Sequence, residues 1–299
     1  HAMERIPERV PVRHAKVEIG SIRGTSSHQY NPAMILCDPA ATEDFGSCYG
    51  FCFAYSGNFV AGAQKDQRGL TRVQMGINPV QFRYTLAAGE AFFAPQVLMS
   101  YSSEGFTGLT HQYHDLIREH ICRGAYKHAK RPVLINNWEA TYFDFDKEKI
   151  VKIAQQAHEL GIEMLVLDDG WFGKRDSDNS GLGDWYTNEK KMDGTMGELG
   201  DEIHALGMKF GLWFEPEMIN EDSDLYRAHP DWALRIPGRE PNRGRDQLVL
   251  DMSRSEVREY LYERISSILN EAKIDYVKWD MNRSVCDLFG HELPPERMG

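Results

Sequence analysis

Two periodicities divide the chain. Over about the first 120 residues, apolar positions recur in short runs bounded by Gly, Pro or Asn, the pattern of strands with one buried face. Tyr49-Gly50-Phe51-Cys52-Phe53-Ala54-Tyr55 alternates large aromatics with small residues, Ser56-Gly57-Asn58 reads as a turn, and Phe59-Val60-Ala61 reads as the second arm of a hairpin. Further short strands are predicted at Thr71 to Met75, Gln81 to Leu86 and Phe92 to Leu98, a spacing that suggests a sandwich or part of one. A helix-like stretch from about Gly108 to His120 closes this region.

Past about Arg131 the period lengthens. Val133 to Asn136 predicts a short strand, and Asp146 is placed to cap a helix whose apolar positions are Ile150, Ile153, Ala154, Ala157 and Leu160. Gly161 sits where a helix-ending glycine belongs, and Ile162 to Leu167 is a continuous apolar run of the kind buried in parallel sheets. The unit recurs. Leu199, Ile203 and Leu206 lead through Gly207 to a strand at Met208 to Phe214. Val257, Leu261, Ile265 and Ile268 lead to a strand at Ile274 to Trp279, with a further strand at Gln247 to Leu250 between them. Strands alternating with helices predict parallel βαβ units, in a doubly wound sheet or a (β/α) barrel. No GxGxxG or GxxxxGK[ST] follows any strand, which disfavours the nucleotide-binding versions.

Each strand of this second region ends in chemistry: Asn136-Asn137-Trp138-Glu139, Asp168-Asp169-Gly170-Trp171, Trp213-Phe214-Glu215-Pro216-Glu217 and Lys278-Trp279-Asp280-Met281-Asn282-Arg283. One charged terminus means only that the chain has surfaced. Four in succession, carrying acids beside tryptophans, fit the mouth of a (β/α)₈ barrel, where C-terminal strand ends converge on one site. Carboxylates accept hydrogen bonds from hydroxyls, and an adjacent pair such as Asp168 and Asp169 can hold two neighbouring ones. Indole faces pack against the C–H side of a sugar ring. The mixture points to a neutral carbohydrate. Lys278 and Asp280 are two apart on a strand and face the same side, leaving Trp279 to face away. An ammonium beside Asp280 favours its ionised form, as a glycosidase nucleophile requires.

Composition narrows the partners. Asp and Glu outnumber Lys and Arg by 45 to 34, a formal net charge of −11, and an acidic surface repels a phosphate backbone, so nucleic acid is not an expected partner. No apolar run approaches the roughly 20 residues that cross a bilayer, so no membrane partner is expected. The five cysteines, Cys37, Cys48, Cys52, Cys122 and Cys286, are few and odd in number. They read as reduced thiols of a cytoplasmic protein rather than a disulfide framework. No Cys, Asp or Glu clusters with all three of His111, His114 and His120, which read as a solvated helix face, not a metal site. The chain opens His1-Ala2-Met3, with no signal-peptide pattern, and reads as a processed chain or an excerpt of a longer one.

The segments Trp138-Glu139-Ala140-Thr141, Leu167 to Gly173, Gly211 to Met218 and Lys278-Trp279-Asp280-Met281-Asn282 resemble those of the retaining α-galactosidases of glycoside hydrolase family 36, bacterial type. So do Ile19-Gly20-Ser21 to Ser27-His28 and Tyr55-Ser56-Gly57-Asn58-Phe59. The resemblance implies hydrolysis of terminal non-reducing α-D-galactose from raffinose- or melibiose-type galactosides by double displacement. It makes Asp280 the nucleophile, gives Asp168 and Asp169 to galactose hydroxyls, and makes Trp138 and Trp213 the pocket walls. Lys278 and Asn282 flank the nucleophile, and Arg245 in Gly244-Arg245-Asp246-Gln247 matches the family's substrate-binding arginine. No metal or other cofactor is implied, and the whole protein is expected to be a homotetramer. The implied fold is an N-terminal β-supersandwich followed by a (β/α)₈ TIM barrel. Residues 1–120 would be the C-terminal part of the supersandwich with a linking helix, and residues 121–299 the N-terminal half of the barrel.

One departure is large. A retaining glycosidase needs a second carboxyl group about 5 to 5.5 Å from the nucleophile, and in the family it lies on a later strand. Only 19 residues follow Asp280 here, and about 170 follow Arg131 where a whole barrel takes roughly 250. The chain is therefore read as an internal excerpt, inactive by itself. Two other readings stay open: an enolase-like barrel with Mg²⁺ held by Asp169, Glu215 and Asp280, and a non-catalytic sugar-binding module. If Asp168 and Asp169 serve binding alone, replacing Asp169 should lower activity and leave stability nearly unchanged.

Overall fold

The computed structural model describes residues 8–26 and 30–290, so Ser27 and His28 of the resemblance lie outside the described residues. The chain divides between Ala129 and Lys130 into two compact units.

The first unit holds two antiparallel sheets. Strands β1 (Val17–Gly20), β4 (Phe59–Lys65) and β5 (Thr71–Ile77) form one, with β4 central; β2 (Ala33–Cys37), β3 (Cys48–Phe53) and β6 (Val97–Ser102) form the other, with β3 central. Residues 49–61 therefore do not make the expected hairpin. Ser56-Gly57-Asn58 carries the chain from one sheet to the other, with the Asn58 amide oxygen accepting the Gly24 N–H at 2.7 Å. The side chains on either side of this corner explain it. Phe53 and Phe59 are both buried in one cluster with Ala61, against Ile19, Met34, Met75, Ile77 and Val97 from both sheets. A hairpin would have kept the two rings in one sheet. The strand expected at Gln81 to Leu86 is also absent. Gln81 takes a left-handed φ of 59°, which breaks an extended run at its start, and Phe82 and Tyr84 instead meet Phe92 through ring contacts at 6.0 and 4.6 Å. The strand expected from Phe92 begins only at Val97, past Pro95, which has no N–H to give a ladder. Helix α1 (Gly105–Leu116) starts earlier than its pattern suggests and runs into a single π-helical turn, Ile117–Ile121.

The second unit is α/β. Strands β7 (Leu134–Asn136), β8 (Met164–Leu167), β9 (Lys209–Phe214) and β12 (Tyr276–Trp279) form a parallel sheet in spatial order β12-β9-β8-β7. The short helix α2 (Trp138–Thr141) follows β7. Helix α3 (Lys147–Glu159) leads to β8, and α5 (Met196–Ala205), preceded by α4 (Glu189–Met192), leads to β9. Helix α7 (Ser255–Glu271) leads to β12. Local sequence sets these boundaries. Asp146 accepts the Lys149 N–H at 2.9 Å as an N-cap, Thr195 and Glu198 form a reciprocal capping box at α5, and Gly161 takes φ +80° to end α3. The strand at Gln247–Val249 (β11) leaves the parallel series and pairs antiparallel with β10 (Met218–Asn220), which helix α6 (Asp224–Ala228) follows. The central strands β8 and β9 are buried almost throughout, beneath Ile150, Ala154, Leu199, Ile203, Val257, Leu261, Ile265 and Ile268 from three helices. Among the described residues, no helix is long and apolar enough to cross a membrane.

Candidate active site

Parallel strands end on one edge of their sheet, and this edge gathers the carboxylates. Asp168, the residue after β8, is 2% exposed. Its Oδ2 accepts Nδ2 of Asn136 from the end of β7 at 2.6 Å and Nζ of Lys278 from β12 at 2.6 Å. Its backbone N–H donates to the Asn137 side chain at 2.8 Å, and its Oδ1 accepts the Asp169 N–H at 2.9 Å. Lys278 lies in register beside Trp213 of β9, so its side chain crosses one whole strand to reach Asp168. Three strand ends are thus tied at one carboxylate.

The end of β12 also carries Asp280, just past Lys278. Its Oδ2 accepts the Trp213 indole N–H at 3.1 Å and the Asn282 amide at 2.7 Å, its Oδ1 accepts the Met281 N–H at 2.9 Å, and its own N–H donates to the Phe214 carbonyl at 2.8 Å. A carboxylate has about four lone-pair sites, so three donors hold Asp280 in a fixed orientation and leave acceptor capacity on Oδ1. Trp213 is itself fixed. Its carbonyl accepts the Trp171 indole N–H at 3.0 Å, and its ring lies parallel to Phe172 within a buried group that includes Trp185.

Two acids at the same edge are already engaged. Glu215 is buried, and its oxygens accept the Asn282 backbone N–H at 2.6 Å and the Gln247 amide at 3.1 Å. Burial pushes its carboxyl above the ordinary range; the Asn282 bonds pull it back, while the charge of Asp280 adds to the rise. Glu217 accepts the Trp279 indole N–H at 3.0 and 3.2 Å, and Trp279 itself is 57% exposed.

Of the residues singled out from sequence, these bonds join Lys278 to Asp168, and Trp213 and Asn282 to Asp280. Lys278 meets Asp168, whereas the i, i+2 spacing suggested Asp280. Trp138 opens the helical turn after β7, half-buried, with its ring edge-on to Tyr142 and Phe143 at 5.2 and 5.1 Å. Asp169 turns inward to a buried bidentate pair with Arg175, whose Nε and Nη2 donate at 2.9 and 2.8 Å. Burial raises the Asp169 carboxyl and Arg175 draws it back. Arg245 sits at φ 54° and pairs with Asp178 at 3.2 Å; Asp178 in turn lies 3.7 Å from Arg175.

Arg175 was not legible as part of this edge. The only signal is indirect: a buried Asp169 needs a cation, and Arg175 is the arginine in the loop that follows. Asn136 and Asn137 were visible as a strand end but carried no role, because an asparagine's partner depends on register between strands. With Asp169 bound to Arg175 and Glu215 to Asn282 and Gln247, the oxygen set considered for Mg²⁺ is not gathered. Among the described residues, no three His, Cys, Asp or Glu are placed to hold a metal ion.

Comparison with known proteins adds to this geometry. Residues 91–298 match a family described as melibiase, and residues 1–87 match the glycosyl hydrolase family 36 N-terminal domain. The chain is 58% identical over 293 residues to the bifunctional alpha-galactosidase/sucrose kinase AgaSK of Mediterraneibacter gnavus, covering 98% of this chain and 31% of that protein. It is 52% identical over 294 residues to alpha-galactosidase AgaA of Geobacillus stearothermophilus, covering 98% of this chain and 40% of that one. The crystal structure of AgaA superposes with a TM-score of 0.95 over 97% of this chain and 40% of the other. A variant of AgaA solved in complex with raffinose superposes with a TM-score of 0.94, at 51% identity and the same coverage. The chain thus spans about two fifths or less of these relatives.

Proposed function

The chain belongs to glycoside hydrolase family 36, the melibiase family, and we propose that it carries the nucleophile half of an α-galactosidase active site. The parallel sheet of the second unit is then the opening of a (β/α)₈ barrel, residues 121–299, and the paired antiparallel sheets before it, within residues 1–120, are the end of the supersandwich. The observation that carries the reading is the state of Asp280: an ionisable carboxylate at a strand end, fixed by Trp213, Asn282 and Met281, with acceptor capacity left on Oδ1.

In this reading Oδ1 attacks the anomeric carbon as the glycosidic oxygen leaves, and water later releases galactose with its configuration retained. Asp168, held by Lys278 and Asn136, binds hydroxyls of the galactose ring, and Lys278 adds a donor beside it. Trp213 and Trp138 wall the pocket. Asp169 and Arg245 complete the rim through the Arg175 and Asp178 network. Proton donation to the leaving oxygen comes from a carboxyl group outside these residues, because Glu215 and Glu217 are committed to Asn282, Gln247 and Trp279. The substrates are raffinose- or melibiose-type galactosides, and the working protein is a cytoplasmic homotetramer without a cofactor.

Proton NMR of the first product from an aryl α-galactoside, made by a full-length protein carrying these residues, tests the reading. α-Galactose is expected first, and Asp280→Asn should abolish turnover while the protein remains folded. β-Galactose appearing first would refute the role given to Asp280.

A further inference from the structure

We propose that Glu215 is a positioning residue that orients Asp280 through Asn282. The inference rests on Asp280 being the nucleophile and deepens that reading. Its basis is how strands β9 and β12 part. The Asp280 N–H donates to the Phe214 carbonyl at 2.8 Å, the last backbone rung between the two strands among the described residues. Two residues on, the Asn282 N–H finds a side chain in place of a backbone carbonyl: Glu215 Oε1, at 2.6 Å. Glu215 thus extends the ladder by one rung just where the backbone turns away at Pro216. That rung fixes the residue whose side-chain amide donates to Asp280 Oδ2 at 2.7 Å.

A carboxylate buried to 1% exposure is costly to keep, and this one makes no ion pair among the described residues. Both its oxygens accept N–H groups, the second from Gln247 at 3.1 Å. What the site uses is therefore acceptance, not charge or proton transfer. Gln247 supports this. Its own Oε1 is buried and has no protein donor among the described residues. An amide at position 215 could keep Oε1 on the Asn282 N–H and offer its NH₂ to Gln247, whose amide need only turn over. Leucine would fill the space and accept nothing, leaving the Asn282 N–H free to swing.

The test uses a full-length α-galactosidase carrying these residues, an activated aryl α-galactoside, and two backgrounds. With Asp280 present, Glu215→Leu should lower kcat/KM on the order of 10²-fold, the scale of a misplacement near 1 Å. Glu215→Gln should stay within about tenfold of the parent, since the bond to Asn282 survives. The second background is Asp280→Gly rescued by azide. There azide attacks the anomeric carbon, a C–N bond forms as the C–O bond to the aryl group breaks, and the aryl oxide leaves with the bonding pair to give β-galactosyl azide. An external nucleophile needs no orienting, so Glu215→Leu should lower the azide-dependent rate by no more than a few-fold. Equal losses in both backgrounds would overturn the inference, because a merely structural residue damages both alike. So would a Gln variant as inactive as the Leu variant, which would mark Glu215 as a proton-transfer or charged group. If folded Asp280→Gly shows no azide rescue while Glu215 is untouched, the assignment of Asp280 fails, and the inference falls with it for that separate reason.

Discussion

Each guanidinium nitrogen of Arg175 donates to a buried or partly buried acceptor. Nε and Nη2 go to Asp169, and Nη1 goes to the Asp178 and Ser180 carbonyls and the Asn220 side chain. The pair is 1% and 6% exposed, so each charge depends on the other. Removing one partner of such a pair costs about 3–5 kcal/mol, because the other stays buried and uncompensated. Arg175→Met should therefore lower the thermal midpoint at neutral pH by the equivalent of that range. Adding Asp169→Asn should recover part of the loss. Calorimetry of the parent and the two variants checks this, and an Arg175→Met protein that melts with its parent would mean the pair is not what holds the loop. The same geometry revises the expectation that replacing Asp169 leaves stability unchanged: Asp169→Ala strands Arg175 and should cost stability as well as activity. Sequence identified the carboxylates because strand ends and residue types are local facts. It did not give their partners. Lys278 serves Asp168 across an intervening strand, and neighbouring strands lie about 4.8 Å apart in a register that no local pattern encodes.

At the opposite edge of the same sheet, where β9 and β12 begin, Asp275 clasps the two strands. Its N–H donates to the Phe210 carbonyl at 2.8 Å, and its Oδ2 accepts the Phe210 N–H at 3.0 Å and meets His204 Nε2 of α5 at 3.0 Å, with Lys209 at 3.6 Å from Oδ1. Burial pushes this carboxyl up, but the Phe210 amide, His204 and Lys209 outweigh it and hold it below its ordinary value. A carboxyl depressed in the folded state contributes stability that is complete above its unfolded value, near pH 4, and lost as pH falls through the folded value. Asp275→Asn should thus destabilise at neutral pH, with the gap to the parent closing as pH falls from the ordinary carboxylate value through the lower folded one. Urea midpoints across that range measure it, and a gap independent of pH would show that charge has no part in the clasp. Elements were legible in proportion to how local their causes are. Helix α3 follows its pattern from Asp146 to Gly161 because cap, stripe and terminator are all in sequence. The turn at Ser56-Gly57-Asn58 does not itself say whether the strands it joins share a sheet; the burial of Phe53 with Phe59 decides that. Gln81 to Leu86 has strand-like residues, but its rings pack on Phe92 and no strand among the described residues pairs with it.

The four-stranded parallel sheet is covered over its two central strands and open at its sides. Helices cover β8 and β9, yet β7 pairs only with β8 and β12 only with β9 among the described residues, so each outer strand presents a row of backbone donors and acceptors. Apolar side chains accompany the open edges: Trp279 is 57% exposed, Tyr276 41% and Leu134 41%. All-parallel sheets are stable when both faces are covered and their edges are closed or protected, as barrel closure does. The relatives supply more than twice this length of chain. Residues 1–299 expressed by themselves should therefore associate or aggregate rather than unfold as a cooperative monomer, since unpaired edges with exposed apolar surface template pairing with other chains. They should also fail to turn over even an activated aryl α-galactoside whose leaving group needs little acid help, because release of the galactosyl–enzyme requires a base that Glu215 and Glu217 are not free to provide. Size-exclusion chromatography with light scattering, thermal unfolding and a sustained-turnover assay decide the matter together. A monomer with a sharp cooperative transition would refute the account of the edges. Sustained turnover by that monomer would also refute the commitment of Glu215 and Glu217 to structure, and would place the acid/base within these residues. A folded monomer that releases one equivalent of aryl product and then stops would keep Asp280 as the nucleophile and leave the missing base as the reason for the arrest.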